Sequence, residues 1–199
     1  MLSQKAKVLQ ALGGKTMLNH VITIANKITD KISVVVGFDK EGVEEEIIKT
    51  GINANIYLQK EQLGTADAVK TTLHDIDENE KILVLYGDVP LIKEETLRKL
   101  CGQESDLSIL TTSLENPTGY GRVLKDKENN VLEIVEERDT DLEQKKIREI
   151  FTGILVAKGE IFKKHIPEIN DKNSAKEFYL TDIISIAHKN GFKIKTLSS

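Results

Sequence analysis

Asp88 is the residue of this chain whose setting most directly suggests chemistry. It closes the run Lys81-Ile82-Leu83-Val84-Leu85-Tyr86-Gly87-Asp88, and Pro90 then breaks the pattern. A continuous apolar run ending in an acid is the pattern of a buried parallel strand that delivers one carboxylate to its carboxyl edge, where open α/β sheets bind ligands. A carboxylate there is placed to hold a metal ion against a phosphate. Gly-Asp also starts turns and caps helices, so the pair alone does not choose. Other segments offer polar groups. Gln59-Lys60-Glu61-Gln62-Leu63-Gly64-Thr65-Ala66 combines amides suited to a nucleobase edge with a glycine ahead of a helix, and it also reads as an ordinary polar loop. Pro117-Thr118-Gly119-Tyr120-Gly121-Arg122 either exposes backbone amides to a ligand such as a sugar or is a hairpin turn. Glu136 and Glu137 end a strand, where acids accept hydroxyl hydrogen bonds or meet solvent. Thr181, after Tyr179 and Leu180, reads as a helix N-cap, a role that leaves ligand contact open. Lys7, before Val8 and Leu9, meets phosphate or solvent. His20 is expected on the first helix with no chemical role.

The elements that must position these groups alternate. Apolar residues recur at helical spacing over 17–28, and helices are expected over 41–49, 65–73 and 93–101. Between them, strands are expected at 33–36, 55–58, 82–86 and 107–114. That alternation argues for a parallel sheet with helices on both faces. After the turn cluster 116–121 the pattern changes. Segments 122–124 and 131–135 flank a polar hairpin connection, 139–149 reads as helical, and 150–157 as a strand. A helix over 181–189 and a strand over 193–197 close the chain. The expectation is one α/β domain, residues 1–199, whose β-rich insertion forms part of a substrate pocket.

Composition sets bounds. With 39% hydrophobic and 30% charged residues, the chain has the balance of a globular domain. Its net charge is −4 and its basic residues are dispersed, which disfavours nucleic acid as a partner. The one cysteine, Cys101, excludes an internal disulfide and fits a reducing compartment. The four scattered histidines exclude a zinc cluster of usual spacing. No apolar run reaches membrane-spanning length and no signal-peptide pattern opens the chain, so the expected location is cytoplasmic.

Taken in order, the motifs make a more specific set. Lys7-Val8-Leu9, Gly14-Lys15-Thr16-Met17-Leu18, Gln59-x-x-Gln62-Leu63-Gly64-Thr65, Tyr86-Gly87-Asp88-Val89-Pro90-Leu91, Pro117-Thr118-Gly119-Tyr120-Gly121-Arg122, Ile134-Val135-Glu136 and Tyr179-Leu180-Thr181-Asp182 run through the chain. This series resembles the uridyltransferase domain of bacterial bifunctional UDP-N-acetylglucosamine pyrophosphorylase / glucosamine-1-phosphate N-acetyltransferase. The resemblance implies a Rossmann-like nucleotidyltransferase of the glycosyltransferase-A type, with a mixed, mostly parallel sheet. It implies transfer of a uridylyl group from UTP to N-acetylglucosamine 1-phosphate, giving UDP-N-acetylglucosamine for peptidoglycan and lipopolysaccharide synthesis, and so for cell shape. By position, Gln59, Gly64 and Thr65 would meet the uridine part. Tyr86, Gly121, Glu136, Tyr179 and Thr181 would line the sugar side. Asp88 would bind Mg²⁺, and Lys7 would meet phosphate. The competing expectations are another sugar-nucleotide pyrophosphorylase or a cytidylyltransferase of the same fold, and a non-catalytic UDP-sugar-binding fragment.

The chain also departs from that pattern. The family opens with a strand and the loop Leu-Ala-Ala-Gly-x-Gly-Thr-Arg-Met, and Met1 aligns with the last residue of that loop. An Asn metal ligand and the β-helix acetyltransferase domain would lie beyond Ser199. The expectation is therefore a fragment or a misplaced start, weak or inactive alone. A trimer is not expected of it, and its oligomeric state is not given by sequence. Ala6 and Thr16 stand where the family has Pro, and Asp67 replaces a common His. Phe151 replaces a sugar-contacting Asn, whose hydrogen bond Phe cannot make.

Overall fold

The β-branched and apolar runs become strands largely where their spacing places them in the computed structural model, which describes residues 5–199. The chain divides into two compact units, Met1–Gln62 with Leu85–Arg98, and Leu63–Val84 with Lys99–Ser199.

In the first unit a 3-10 turn, Lys7–Leu9, leads to the hairpin β1 (Ala11–Leu12) and β2 (Lys15–Thr16). Its two-residue turn is Gly13-Gly14, with φ of 60° and 85°, the left-handed geometry that tight hairpins require. Helix α1 (Met17–Ala25) starts where the Thr16 hydroxyl accepts the Asn19 N–H at 3.0 Å, and it buries Leu18, Val21 and Ile22. Strand β3 (Ser33–Val36), helix α2 (Lys40–Thr50) and strand β4 (Asn55–Leu58) form a βαβ unit, with Ser33 opposite Asn55 in a parallel pair. Helix α2 ends at Gly51, whose φ is 70°, the left-handed stop that glycine supplies. The core here is Leu18, Ile22, Val36, Val43 and Ile47.

The second unit holds α3 (Thr65–Lys70), β5 (Lys81–Val84), β6 (Leu107–Ser113), β7 (Arg122–Lys125), β8 (Val131–Val135), β9 (Glu149–Lys158), α5 (Gly159–His165), α6 (Asp182–Lys189) and β10 (Ile194–Ser198). Helix α4 (Glu94–Cys101) lies between β5 and β6 in sequence. The sheet order is β10-β6-β9-β7-β8, with β5 also paired to β9. Leu107 to Thr111 are buried consecutively, as are Gly153 to Ala157. Neighbouring side chains of a strand point to opposite faces, so both faces of β6 and β9 are covered. Helices α5 and α6 pack against this sheet. Ile109, Ile154, Leu155, Leu180, Ile183 and Ile184 are fully shielded, and each contributes about 1.5–3 kcal/mol by leaving water.

The mixed sheet with helices agrees with a Rossmann-like α/β fold. Its balance differs from the sequence reading. Strands β3 and β4, and β6 and β10, pair in parallel, whereas β9 pairs antiparallel with β5, β6 and β7. The strand–helix alternation of the first half carries no sign of β9, which arrives from the second half and enters between earlier strands. Segment 139–149 is not an α-helix. Its charges surround two 3-10 turns, Glu137–Asp139 and Gln144–Lys146, because few of its residues have apolar surface to bury. Helix α5 was not expected. It follows β9 directly at Gly159, where a Cβ would fall 1.9 Å from the Asp77 carbonyl oxygen, so only glycine fits the junction.

Candidate active site

Of the ten residues singled out by sequence, Lys7, Gln59, Tyr86 and Asp88 belong to the first unit. Strand β5 ends at Val84, and the chain then turns, with the Val89 N–H donating to the Tyr86 carbonyl at 3.2 Å. The turn reading of Gly87-Asp88 is thereby realised in the backbone. Gly87 lies against Val8, where an added Cβ would sit 3.0 Å from Val8 Cγ1. This close approach carries Lys7 alongside Asp88, and Lys7 Nζ donates to Asp88 Oδ2 at 2.7 Å. The Asp88 hydrogen bond and charge raise the Lys7 pKa above its ordinary 10.5, which keeps it an ammonium at neutral pH. Tyr86 and Gln59 are half-buried. The Gln59 backbone extends the β3–β4 ladder, its N–H donating to Val36 at 2.8 Å. Gln62, the second amide of the 59–66 segment, lays its side chain over the Gly37 backbone, where an added Cβ would meet Gln62 Nε2 at 3.1 Å.

The second unit holds Gly64, Thr65, Gly121, Glu136, Tyr179 and Thr181. Gly64 has φ 125° and ψ 178°, and an added Cβ would lie 2.5 Å from the Phe178 carbonyl oxygen. Three hydrogen bonds stitch the two segments together. Phe178 N–H donates to Leu63 at 2.8 Å, Ala66 N–H to Phe178 at 2.8 Å, and Leu180 N–H to the Thr65 hydroxyl at 2.9 Å. Gly64 and Thr65 thus fix the path of the segment that carries Tyr179 and Thr181.

Thr181 begins α6, but its side chain caps nothing. Its hydroxyl donates instead to Glu136 Oε1 at 2.9 Å. This corrects the N-cap reading: the Thr181 backbone is helical (φ −60°, ψ −24°), not extended as a capping residue's is, so its side chain does not meet the helix amides. A Cβ on Gly121 would lie 2.8 Å from Ile134 Cγ2 and 3.4 Å from Glu136 Oε2, so the Gly121 backbone passes directly over this carboxylate. Gly121, Glu136 and Thr181 are therefore together. Burial pushes the Glu136 pKa up, and the Thr181 hydrogen bond partly opposes it. Burial likewise raises Tyr179, helped by the charges of Asp139, Glu177 and Glu136. Asp182, given no role in the sequence reading, is pushed up to about 6 by burial and then by Glu136, Asp139 and Glu133. An acid in the first turn of a helix is normally favoured as an anion, so sequence offered no signal for this.

Phe151 is 6% exposed and belongs to the apolar core of its unit, and only its backbone N–H reaches the Gly121 carbonyl, at 2.9 Å. Arg122, named in the sequence reading only as the end of the 117–122 motif, is 1% exposed and pairs with Glu137 at 2.6 Å. The signal was available. In the β7–β8 ladder Arg122 stands opposite Val135, which places Glu137 two residues on and on the same face.

Among the described residues no cluster of three His, Cys, Asp or Glu side chains could hold a metal. A single carboxylate suits Mg²⁺, which takes one or two carboxylates and completes its shell with water and substrate phosphates. Asp88, with a third of its side chain exposed, fits that mode. No described helix is long and apolar enough to cross a membrane.

Comparison with known proteins gives the family and the fold. The model of the MobA-like NTP transferase domain matches residues 2–144. The chain is 42% identical over 200 residues to the bifunctional protein GlmU of Buchnera aphidicola subsp. Schizaphis graminum, covering 99% of this chain and 43% of that protein. It is 45% identical over 188 residues to the bifunctional protein GlmU of Francisella tularensis subsp. novicida, covering 93% and 41%. The chain thus spans less than half the length of these relatives. An inositol-1-phosphate CTP transferase from T. maritima shares the fold with TM-score 0.76 at 17% identity, covering 100% of this chain and 78% of that one. A putative glucose-1-phosphate thymidylyltransferase from Bacillus anthracis does so with TM-score 0.73 at 20% identity, covering 97% and 78%.

Proposed function

Since the chain belongs to the MobA-like NTP transferase domain family, we propose that it carries the uridylyltransferase activity of a GlmU-type protein. In this reading it joins UTP and N-acetylglucosamine 1-phosphate into UDP-N-acetylglucosamine and pyrophosphate, in the cytoplasm, as a supply for cell-envelope synthesis. The observation that carries the reading is identity of 42% to a GlmU over 99% of this chain.

The chemistry follows from charge. Both reactants are anions, and an oxygen of the sugar phosphate attacks the α-phosphorus of UTP in line as pyrophosphate leaves. No side-chain nucleophile is needed, because that oxygen is already one. The task of the protein is to neutralise repulsion and hold the reactants aligned. Lys7, a permanent cation with a mostly exposed side chain, is suited to meet phosphate oxygens. Its contact with Asp88 holds the ammonium in place before substrate arrives. Bound Mg²⁺ would supply charge neutralisation and orientation of the phosphates, with Asp88 as its protein ligand. On the sugar side, Glu136 offers carboxylate oxygens to hydroxyl donors, with Thr181 fixing one of them and the Gly121 backbone beside the other. Half-burial strengthens these bonds by excluding competing water. The amides Gln59 and Gln62 and the segment Gly64-Thr65 are the candidates for the uridine part.

Calorimetry with UDP-N-acetylglucosamine, with Mg²⁺-dependent pyrophosphate release followed in parallel, tests this. Binding with turnover supports the enzyme, binding without turnover supports a UDP-sugar-binding module, and absence of both removes the reading.

A further inference from the structure

Arg122 is a buried charge with no assigned task. It is 1% exposed, its Nε carries no hydrogen bond, and it stands in a strand whose next residue, Val123, is core. A buried guanidinium with one donor unsatisfied is expensive to keep, so the partners it does have matter. One terminal nitrogen donates to the Tyr120 carbonyl, and the other to Glu137 Oε2 at 2.6 Å. The same Glu137 oxygen accepts the Gly119 N–H at 3.2 Å, and Gly119 holds φ 90°. The pair therefore grips both sides of the Gly119-Tyr120 peptide, directly before Gly121. The Arg122 hydrogen bond and then the Gly119 N–H also hold the Glu137 carboxyl below its usual range, so the pair stays ionised.

We infer that Arg122 and Glu137 are positioning residues for the sugar-phosphate side. They hold the 117–121 loop in the shape that sets the Gly121 backbone over the Glu136 carboxylate. This deepens the proposed function and rests on its assignment of Gly121 and Glu136 to the sugar. Loss of the grip leaves the phosphate-side residues Lys7 and Asp88 unchanged, so its effect is selective between the two substrates.

The test uses the full chain with UTP, Mg²⁺ and N-acetylglucosamine 1-phosphate. Glu137→Gln keeps the shape and removes the charge, whereas Arg122→Lys keeps the charge and removes the planar fork. The expected result for Glu137→Gln is a rise of about ten-fold in KM for the sugar phosphate, with KM for UTP and kcat changed by less than about three-fold. Arg122→Lys falls between this variant and the unsubstituted chain. Equal changes in both KM values, or a loss of kcat alone, overturn the inference. Hydrogen exchange on the ligand-free proteins separates it from the functional reading. The amides of 118–121 exchange faster in Glu137→Gln while those of β6 and β9 do not, and unchanged loop exchange overturns the inference whether or not the chain turns over UTP. If the unsubstituted chain shows no turnover, it is the functional reading that fails, and the exchange result alone decides whether the pair holds the loop.

Discussion

Replacing Asp182 by Asn is expected to stabilise the chain at pH 7, although it touches a conspicuous helix start. The Asp182 carboxyl is half-buried at the head of α6 and faces Glu136, Asp139 and Glu133, with only Lys189 pulling the other way. Burial and these three carboxylates raise it from an ordinary 3.8 to about 6. That gap is worth roughly 3 kcal/mol at most. Solvent screens much of it at a side chain this open, which leaves about 1–2 kcal/mol. The sign follows from proton binding. Between pH 3.8 and about 6 the folded chain holds more protons than the unfolded chain. Stability therefore declines as pH rises through that window, and the penalty is complete above it. Asn has the same shape and cannot ionise, so Asp182→Asn removes the penalty at pH 7 and changes little near pH 4. Urea unfolding of both proteins from pH 4 to pH 7 measures it. A variant no more stable than its parent at pH 7, or a difference independent of pH, would refute the reasoning.

Other perturbations test other links. Gly64→Ala forces a side chain into a backbone region that glycine alone occupies, with Cβ 2.5 Å from the Phe178 carbonyl. Strain alone costs about 1–3 kcal/mol, so a loss of at least about 2 kcal/mol in urea unfolding is expected, and a loss below about 0.5 kcal/mol would show that the 63–66 and 178–180 segments give way cheaply. Asp88→Asn breaks a largely exposed ion pair, so it shifts stability by under about 1 kcal/mol, while Mg²⁺-dependent turnover falls at least about a hundred-fold; unchanged Mg²⁺ dependence removes Asp88 from the site. Thr181→Ala deprives Glu136 of its one hydroxyl donor and weakens sugar-phosphate binding by about 0.5–1.5 kcal/mol, with Thr181→Ser restoring most of it in calorimetry.

Local patterns in the sequence identified what local physics decides. The β3–α2–β4 unit follows from a β-branched run, a helical spacing and a closing glycine, and the β7–β8 hairpin from two apolar runs around a polar turn. Asp88 stood out because it closes an apolar run, but that run alone did not choose between a turn and a site, and its ion pair with Lys7, 81 residues away, had no local signal. What was not legible depends on contacts distant in sequence. The insertion of β9 among β5, β6 and β7 turns a sheet expected to be mostly parallel into one dominated by antiparallel pairs, and nothing in the first half announces it. The tasks of Gly64 and Thr65 include holding the Phe178 and Leu180 backbone, a pairing across more than a hundred residues. Thr181 has the sequence context of a cap, yet its backbone is helical (φ −60°, ψ −24°), its side chain caps nothing, and its hydroxyl donates to Glu136, 45 residues earlier in the chain. Phe151 is a core side chain, and the polar contact that the resemblance attaches to its position has no counterpart in it.

The nucleotide preference tests the central claim most directly. The fold is shared with a CTP transferase and a putative thymidylyltransferase, so fold alone does not select the base. Pyrophosphate release measured with UTP, CTP, dTTP, ATP and GTP, each with Mg²⁺ and N-acetylglucosamine 1-phosphate, supplies the comparison. UTP should give the highest kcat/KM of the five, and replacing the sugar phosphate by glucose 1-phosphate should lower it. A preference for CTP or dTTP, or no transfer from any nucleotide, would contradict the assignment.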